Sequence, residues 1–176
     1  MTWQILSEEN LISVDPWFTL TKQKILLPSG LEVNNYYQIY QPSYCEIAVR
    51  DESSKFLICK SYKHGVRDIT FGFPGGYLNT NESPVVAAAR ELQEECGLGA
   101  DTWRDLGSYV IDGNRGPAKV HLFLAEKIGN APAIPSDDLE DTKSFWADCN
   151  QIRDFIKFGK FKTVGACLLA EKISNI

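Results

Sequence analysis

The sequence predicts an α/β sandwich, and three observations carry that expectation. A series of β-prone runs fills the first half of the chain, one strongly periodic helix sits mid-chain, and two short helical patterns close the C-terminal end. The chain has 176 residues, enough for one domain with a real core and a small appendage.

The elements follow in order. Trp17 to Leu27 and Leu31 to Tyr40 are β-prone and flank Pro28-Ser29-Gly30, which reads as a hairpin. Cys45 to Val49 and Phe56 to Tyr62 flank a polar Asp51–Lys55 stretch and read as a second, more apolar hairpin. Ser83 to Cys96 is the best helix. Ser83 suits an N-cap and Pro84 the first helical position. Val85, Ala88, Ala89, Leu92 and Cys96 form an apolar stripe, and Gly97 is a natural stop. Strands are expected near Gly107–Ile111 and Val120–Ala125, followed by a Pro- and Asp-rich loop over Ala131 to Asp141. A last strand at Lys143 to Trp146 and helices near Asn150–Phe158 and Val164–Ile173 complete the reading. The expected division is an N-terminal segment, 1–40, and a main domain, 41–176.

Composition narrows the function. The net charge of −5 argues against general binding to a nucleic-acid backbone, which needs clustered Lys and Arg. It leaves a phosphate substrate open, because a divalent cation inverts the local field. No apolar run approaches the roughly 20 residues that span a bilayer, and the N-terminus lacks the pattern of a secretory signal. Five cysteines in an odd, CxxC-free arrangement point to reduced thiols and a cytoplasmic location. His64 and His121 stand in no zinc-ligand spacing, and no nucleophile elbow, P-loop or dinucleotide fingerprint is present.

The chemistry concentrates on the mid-chain helix. Glu91, Glu94 and Glu95 stand at i, i+3 and i+4, so their carboxylates are neighbours. Clustered oxygens are what Mg²⁺ or Mn²⁺ requires. On its own a Glu-rich helix face is usually just solvated. Here it follows Phe71-Gly-Phe-Pro-Gly-Gly76, a loop stiffened by Pro74 and opened by glycines, which can bring a backbone carbonyl to a metal. From Gly76, five residues precede Glu82, seven more precede Arg90-Glu91-Leu92, and Gln93-Glu94-Glu95-Cys96-Gly97-Leu98 follows.

This resembles the Nudix box, G-x5-E-x7-R-E-U-x-E-E-x-G-U with U aliphatic, at every specified position. The family implies a loop–helix–loop motif on an α/β/α sandwich with a mixed sheet. Carried over to this chain, the resemblance makes Glu91 and Glu95 the main metal ligands, with Glu94 and the Gly76 carbonyl adding to them. Arg90 and Glu82 become a supporting ion pair, and Gly97 lets the helix end. Two or three cations would neutralise a diphosphate, polarise phosphorus and activate water.

Outside the box the chain is similar to ADP-ribose pyrophosphatases and their GDP-mannose-cleaving relatives. That likeness implies a homodimer embraced by the N-terminal hairpin, through a segment such as Ile25–Gly30 followed by Tyr36-Tyr37. It implies a general base in a downstream acidic loop, with Glu140 first and Asp138 second. It also implies base stacking by Trp17 or Phe18 and phosphate contacts from Lys63 and Arg67. Core packing and solvated surface are the plain alternatives for those four residues. Lys63 stands where relatives usually carry Arg, and the Asp112–Lys119 loop departs from the usual pattern, with Arg115 either meeting substrate or capping a strand turn.

The expected reaction is hydrolysis of a nucleoside diphosphate sugar, with ADP-ribose giving AMP and ribose 5-phosphate as the leading case. GDP-mannose or another NDP-sugar is the alternative. A non-catalytic ligand sensor of the same fold is disfavoured by the intact box, and action on RNA ends by the acidic charge balance.

Overall fold

The structure is a computed structural model and describes residues 2–132 and 141–175. The chain folds as two units, Met1–Ser43 with Val110–Lys119, and Tyr44–Tyr109 with Val120–Ile176.

The first unit is built on an antiparallel sheet ordered β1-β2-β3, with β1 at Gln4–Val14, β2 at Phe18–Leu26 and β3 at Glu32–Tyr40. The expected hairpin is β2–β3. Its turn closes through the Gly30 amide on the Leu27 carbonyl at 2.9 Å, with Gly30 at a φ of 83° that favours glycine. β1 was not expected from the sequence. All of its residues are exposed, and Glu8-Glu9-Asn10 interrupts its apolar pattern, so backbone pairing rather than burial defines it. Glu8 is nonetheless anchored, accepting from Gln23 and, at 3.1 Å, from the Tyr40 hydroxyl. Residues 110–119 join this unit through the Asn114 carbonyl, which accepts from Tyr36 at 2.8 Å and from Gln38 at 2.9 Å.

The second unit holds two three-stranded sheets. One is ordered β4-β8-β7, with β4 at Tyr44–Val49, β7 at Leu98–Asp112 and β8 at Gly116–Asn130, the last three residues of β7 and the first four of β8 counting with the first unit. The other is ordered β6-β5-β9, with β5 at Phe56–Lys63, β6 at Asp68–Gly72 and β9 at Lys143–Ala147. The helices are α1 (Pro84–Cys96), α2 (Cys149–Lys157) and α3 (Val164–Ile173).

The second expected hairpin is overturned. The turn itself forms, with the Asp51 amide on the Lys55 carbonyl at 2.9 Å, but its arms part. β4 pairs in parallel with β8, while β5 pairs with β6 and β9. Both arms are apolar on both faces, the mark of strands covered on two sides rather than of a half-solvated hairpin. The strand expected near Gly107–Ile111 is the C-terminal part of β7 and the one near Val120–Ala125 the middle of β8; each runs for 15 residues, and the remainder is too polar to announce itself. β6 was also not expected.

Strand alternation feeds two cores. Cys45, Ile47 and Val49 of β4 join Leu57, Phe123 and Ala125 against Ala87, Ala88 and Leu92 of α1. Ala48 joins Phe56, Ile58, Leu122 and Leu124 against Ile152 of α2 and Leu169 and Ile173 of α3. The unit is therefore an α/β/α sandwich with α1 on one face and α2 and α3 on the other. Among the described residues no helix is long and apolar enough to cross a membrane.

Candidate functional site

The site is built where the 71–76 loop meets α1. Gly75 lies so close to β4 that a Cβ there would stand 2.0 Å from the Cys45 carbonyl oxygen. The loop is pinned to β4 by the Cys45 amide on the Gly76 carbonyl and the Ile47 amide on the Pro74 carbonyl, both 2.9 Å. Only glycine can accept that approach.

α1 begins as expected, with Ser83 extended at the N-cap and Pro84 in the first turn, although the Ser83 side chain makes no capping bond. Gly97 ends it in the left-handed conformation, φ 63°, its amide on the Gln93 carbonyl at 3.0 Å. The apolar stripe is narrower than the sequence pattern implied. Ala87, Ala88 and Leu92 are buried, whereas Val85 and Ala89 are exposed. Glu91, not a hydrophobe, completes the buried face at 9% exposure.

A carboxylate so placed needs compensation. Arg90 supplies it. Its Nε and Nη2 donate to the two Glu82 carboxylate oxygens at 3.0 and 2.9 Å, and Nη2 also donates to the Tyr77 carbonyl at 2.9 Å. Nη1 donates to Glu91 Oε1 at 2.7 Å and to Glu94 Oε2 at 2.9 Å. A guanidinium has five N–H donors, so every one is used. The bond to Glu82 is the main reason the Arg90 pKa rises, and Arg90 in turn holds Glu82 below the usual carboxylate range.

The remaining acids complete the arrangement. Glu95 Oε2 accepts from the Gly75 amide at 2.9 Å, which ties the last turn of α1 to the glycine loop. A Cβ on Gly76 would meet Glu91 Oε1 at 2.5 Å and Oε2 at 2.6 Å, so the absent side chain makes the space this carboxylate fills. With Arg90 between Glu91 and Glu94, no group of three or more His, Cys, Asp or Glu side chains among the described residues stands ready-clustered around a metal position.

Lys63 and Arg67 are brought together by the tight turn between β5 and β6. The Arg67 amide bonds the Lys63 carbonyl at 2.8 Å, and Arg67 takes a φ of 57°. Lys63 is half-buried and Arg67 exposed. Trp17, Phe18 and Arg115 belong to the other unit. Trp17 is 59% exposed, which sets aside core packing for it, and its amide closes a turn on the Val14 carbonyl at 2.7 Å. Arg115 is exposed, and its carbonyl accepts from the Ile39 amide at 2.6 Å. Glu140 and Asp138 lie outside the described residues.

Sequence reasoning missed two participants. The Gly75 amide and Tyr77 carbonyl act through backbone, which a side-chain pattern does not report. Glu46, on the α3 side of β4, also sat in view as the one acid in an apolar strand run. It is buried on β4, its Oε1 lies within 2.5 Å of where a Gly165 Cβ would stand, and its Oε2 has no hydrogen-bond partner among the described residues. Burial pushes its carboxyl from 4.5 up to about 8, opposed by the charge of Lys63. The neighbouring Tyr44 hydroxyl is pushed to about 12 by burial and then by Glu46.

The family model of the NUDIX domain matches residues 40–166. The chain belongs to the Nudix family. With an intact box it is a Nudix pyrophosphohydrolase. It is 25% identical over 162 residues to the CMP-5'-(N-acetyl-N-hydroxy-3-aminopropyl)phosphonate hydrolase of Streptomyces rubellomurinus, across 91% of this chain and 77% of that protein. It is 26% identical over 126 residues to the ADP-ribose pyrophosphatase of Bacillus subtilis, across 69% of this chain and 68% of that one. Among solved structures, an ADP compounds hydrolase superposes with a TM-score of 0.81 at 20% identity, covering 98% of this chain and 94% of its own, a likeness of fold.

Proposed function

We propose that this Nudix hydrolase cleaves the diphosphate of an ADP-sugar, with ADP-ribose yielding AMP and ribose 5-phosphate. The observation that carries the reaction type is the Arg90-centred array of Glu82, Glu91 and Glu94 beside the glycine loop. The likeness to ADP-ribose pyrophosphatase supports the substrate class.

The donor set fits a hard divalent cation, because every group offered is oxygen and Gly76 lacks the Cβ that would fill the cradle. Glu91 and Glu95, with Glu94 and the Gly76 carbonyl, would hold Mg²⁺ or Mn²⁺, which supplies charge neutralisation and Lewis acidity toward the diphosphate. The chain's own residues do the positioning. Arg90 orients Glu91 and Glu94 through Nη1 while Glu82 and the Tyr77 carbonyl hold its other edge. The Gly75 amide aims Glu95. Lys63 and Arg67, from one turn, are assigned to the phosphates, Trp17 or Phe18 to the base, and Arg115 to the substrate's outer contacts. Glu140, with Asp138 second, is assigned the proton of the attacking water. We place the enzyme in the cytoplasm, consistent with free thiols at all five cysteines.

A second reading, hydrolysis of a CMP-linked phosphonate or another NDP-linked compound, is favoured by the Streptomyces relative, whose alignment takes in 91% of this chain. A substrate panel separates the two. Phosphate release is measured in Mg²⁺ and in Mn²⁺, coupled to a phosphatase that acts only on the products. Highest kcat/KM on ADP-ribose supports the first reading, and preference for a cytidine- or guanosine-linked member replaces it. Glu95→Gln is the control, and unchanged turnover in it overturns the site assignment.

A further inference from the structure

β5 separates two environments. Its odd-numbered residue Leu57 packs on the α1 side and Cys59 hydrogen-bonds Cys96 of α1, while the even-numbered Phe56 and Ile58 face the α2 and α3 side. Lys60 continues the second set, away from the box. It lines a cavity of about 350 Å³ with Ile69 and Phe71 of the β6 strand and with Phe158, Lys160 and Lys162 from the segment joining α2 to α3. That segment is fastened to β6, with the Phe71 amide on the Lys160 carbonyl at 2.9 Å and the Lys162 amide on Thr70 Oγ1 at 3.1 Å.

The lining has two kinds of chemistry side by side. Asp68 is ion-paired with Lys162 and also feels the charge of Lys160, so the lining sets three ammonium groups, Lys60, Lys160 and Lys162, against one carboxylate. A surplus of two positive charges at one cavity, in a chain of net charge −5, forms an anion-attracting point in an otherwise acidic protein. Beside them Phe158 is 66% exposed and Ile69 is 52% exposed. The Lys157 ammonium lies 5.7 Å from the Phe158 ring centroid, so cation and aromatic face share the rim. Large apolar groups left in water beside surplus positive charge call for a ligand that is anionic at one end and planar or apolar at the other. The volume suits a small molecule rather than a polymer.

From this we infer a second ligand site, on the sheet face opposite the Nudix helix, that takes a small phosphorylated molecule with a planar ring, of mononucleotide size. Lys60 and Lys160 receive the phosphate and Phe158 faces the ring. The site is independent of the substrate reading above.

The test titrates the full chain in EDTA at low salt with AMP and, separately, with inorganic phosphate, followed by backbone amide NMR and calorimetry. Saturable AMP binding is expected, with shifts at Gly159–Lys162 and around Lys60. Lys60→Gln combined with Lys160→Gln should weaken it at least about tenfold. Phe158→Ala should weaken AMP and leave inorganic phosphate unchanged, and the same pattern should persist in Glu95→Gln. All three substituted side chains are exposed, so the fold tolerates the changes. Shifts confined to residues 75–97, equal AMP affinity in the double-lysine variant, or no saturable binding of either probe overturns the inference.

Discussion

Glu46→Gln should make the protein more stable relative to wild type as the pH rises. In the folded chain this carboxyl keeps its proton to about pH 8, while the ordinary value is 4.5. Between those limits the folded state binds more protons than the unfolded state, so stability falls with rising pH. The loss is absent below 4.5 and complete above 8. At 1.36 kcal/mol per pH unit the penalty reaches about 3 kcal/mol at pH 7 and about 4 kcal/mol at pH 8. Glutamine keeps the shape of the neutral acid and has no charge to bury. It brings a fixed offset, since the orphaned Oε2 becomes an amide group in the same surroundings, but an offset does not vary with pH. The assay is urea unfolding of both proteins at pH 5, 6, 7 and 8, at constant ionic strength, with m-values compared. The gap between variant and wild type should widen by about 3 kcal/mol in favour of the glutamine across that range. A gap that stays flat refutes the reasoning, because it means that Glu46 is as ionised in the fold as in the unfolded chain.

Arg90→Lys should lower stability by about 2 kcal/mol and reduce kcat, because an ammonium has three donors and cannot span Glu82, Tyr77, Glu91 and Glu94 together; thermal unfolding and steady-state kinetics report it. Gly76→Ala should leave the fold intact but push the Glu91 carboxylate from its place, weakening Mn²⁺ affinity by about 10- to 100-fold, read by calorimetry. Ile12→Glu, on the wholly exposed β1 strand, should dissociate the homodimer that we propose forms through residues 1–40, and a wild type that is monomeric in light scattering removes that proposal.

The parts of this molecule visible in the sequence are those written in side-chain spacing. The helix from Ser83 to Gly97 declares itself by a proline, a period and a glycine, and the box from Gly76 to Leu98 by intervals that covalent geometry carries directly into space. Pairing is different. Cys45–Val49 and Phe56–Tyr62 are equally apolar whether they form one hairpin or lie in two sheets, and the partner that decides, β8, lies some 75 residues later. β1 has no buried face to leave a pattern. The acids were legible as a cluster, but that Arg90 would spend all its donors on them and on Tyr77, and that the Gly75 amide would aim Glu95, depended on backbone groups that no side-chain pattern reports.

The full engagement of Arg90 has a thermodynamic corollary. Acids crowded onto one helical turn repel one another, and many metal sites are held together only by the ion they bind. Here the polypeptide supplies its own resident cation, already in contact with Glu82, Glu91 and Glu94. The repulsion is thereby offset from within the polypeptide itself. One turn of helix can therefore keep its acids crowded, because each carboxylate that Arg90 touches faces a positive group of the same chain.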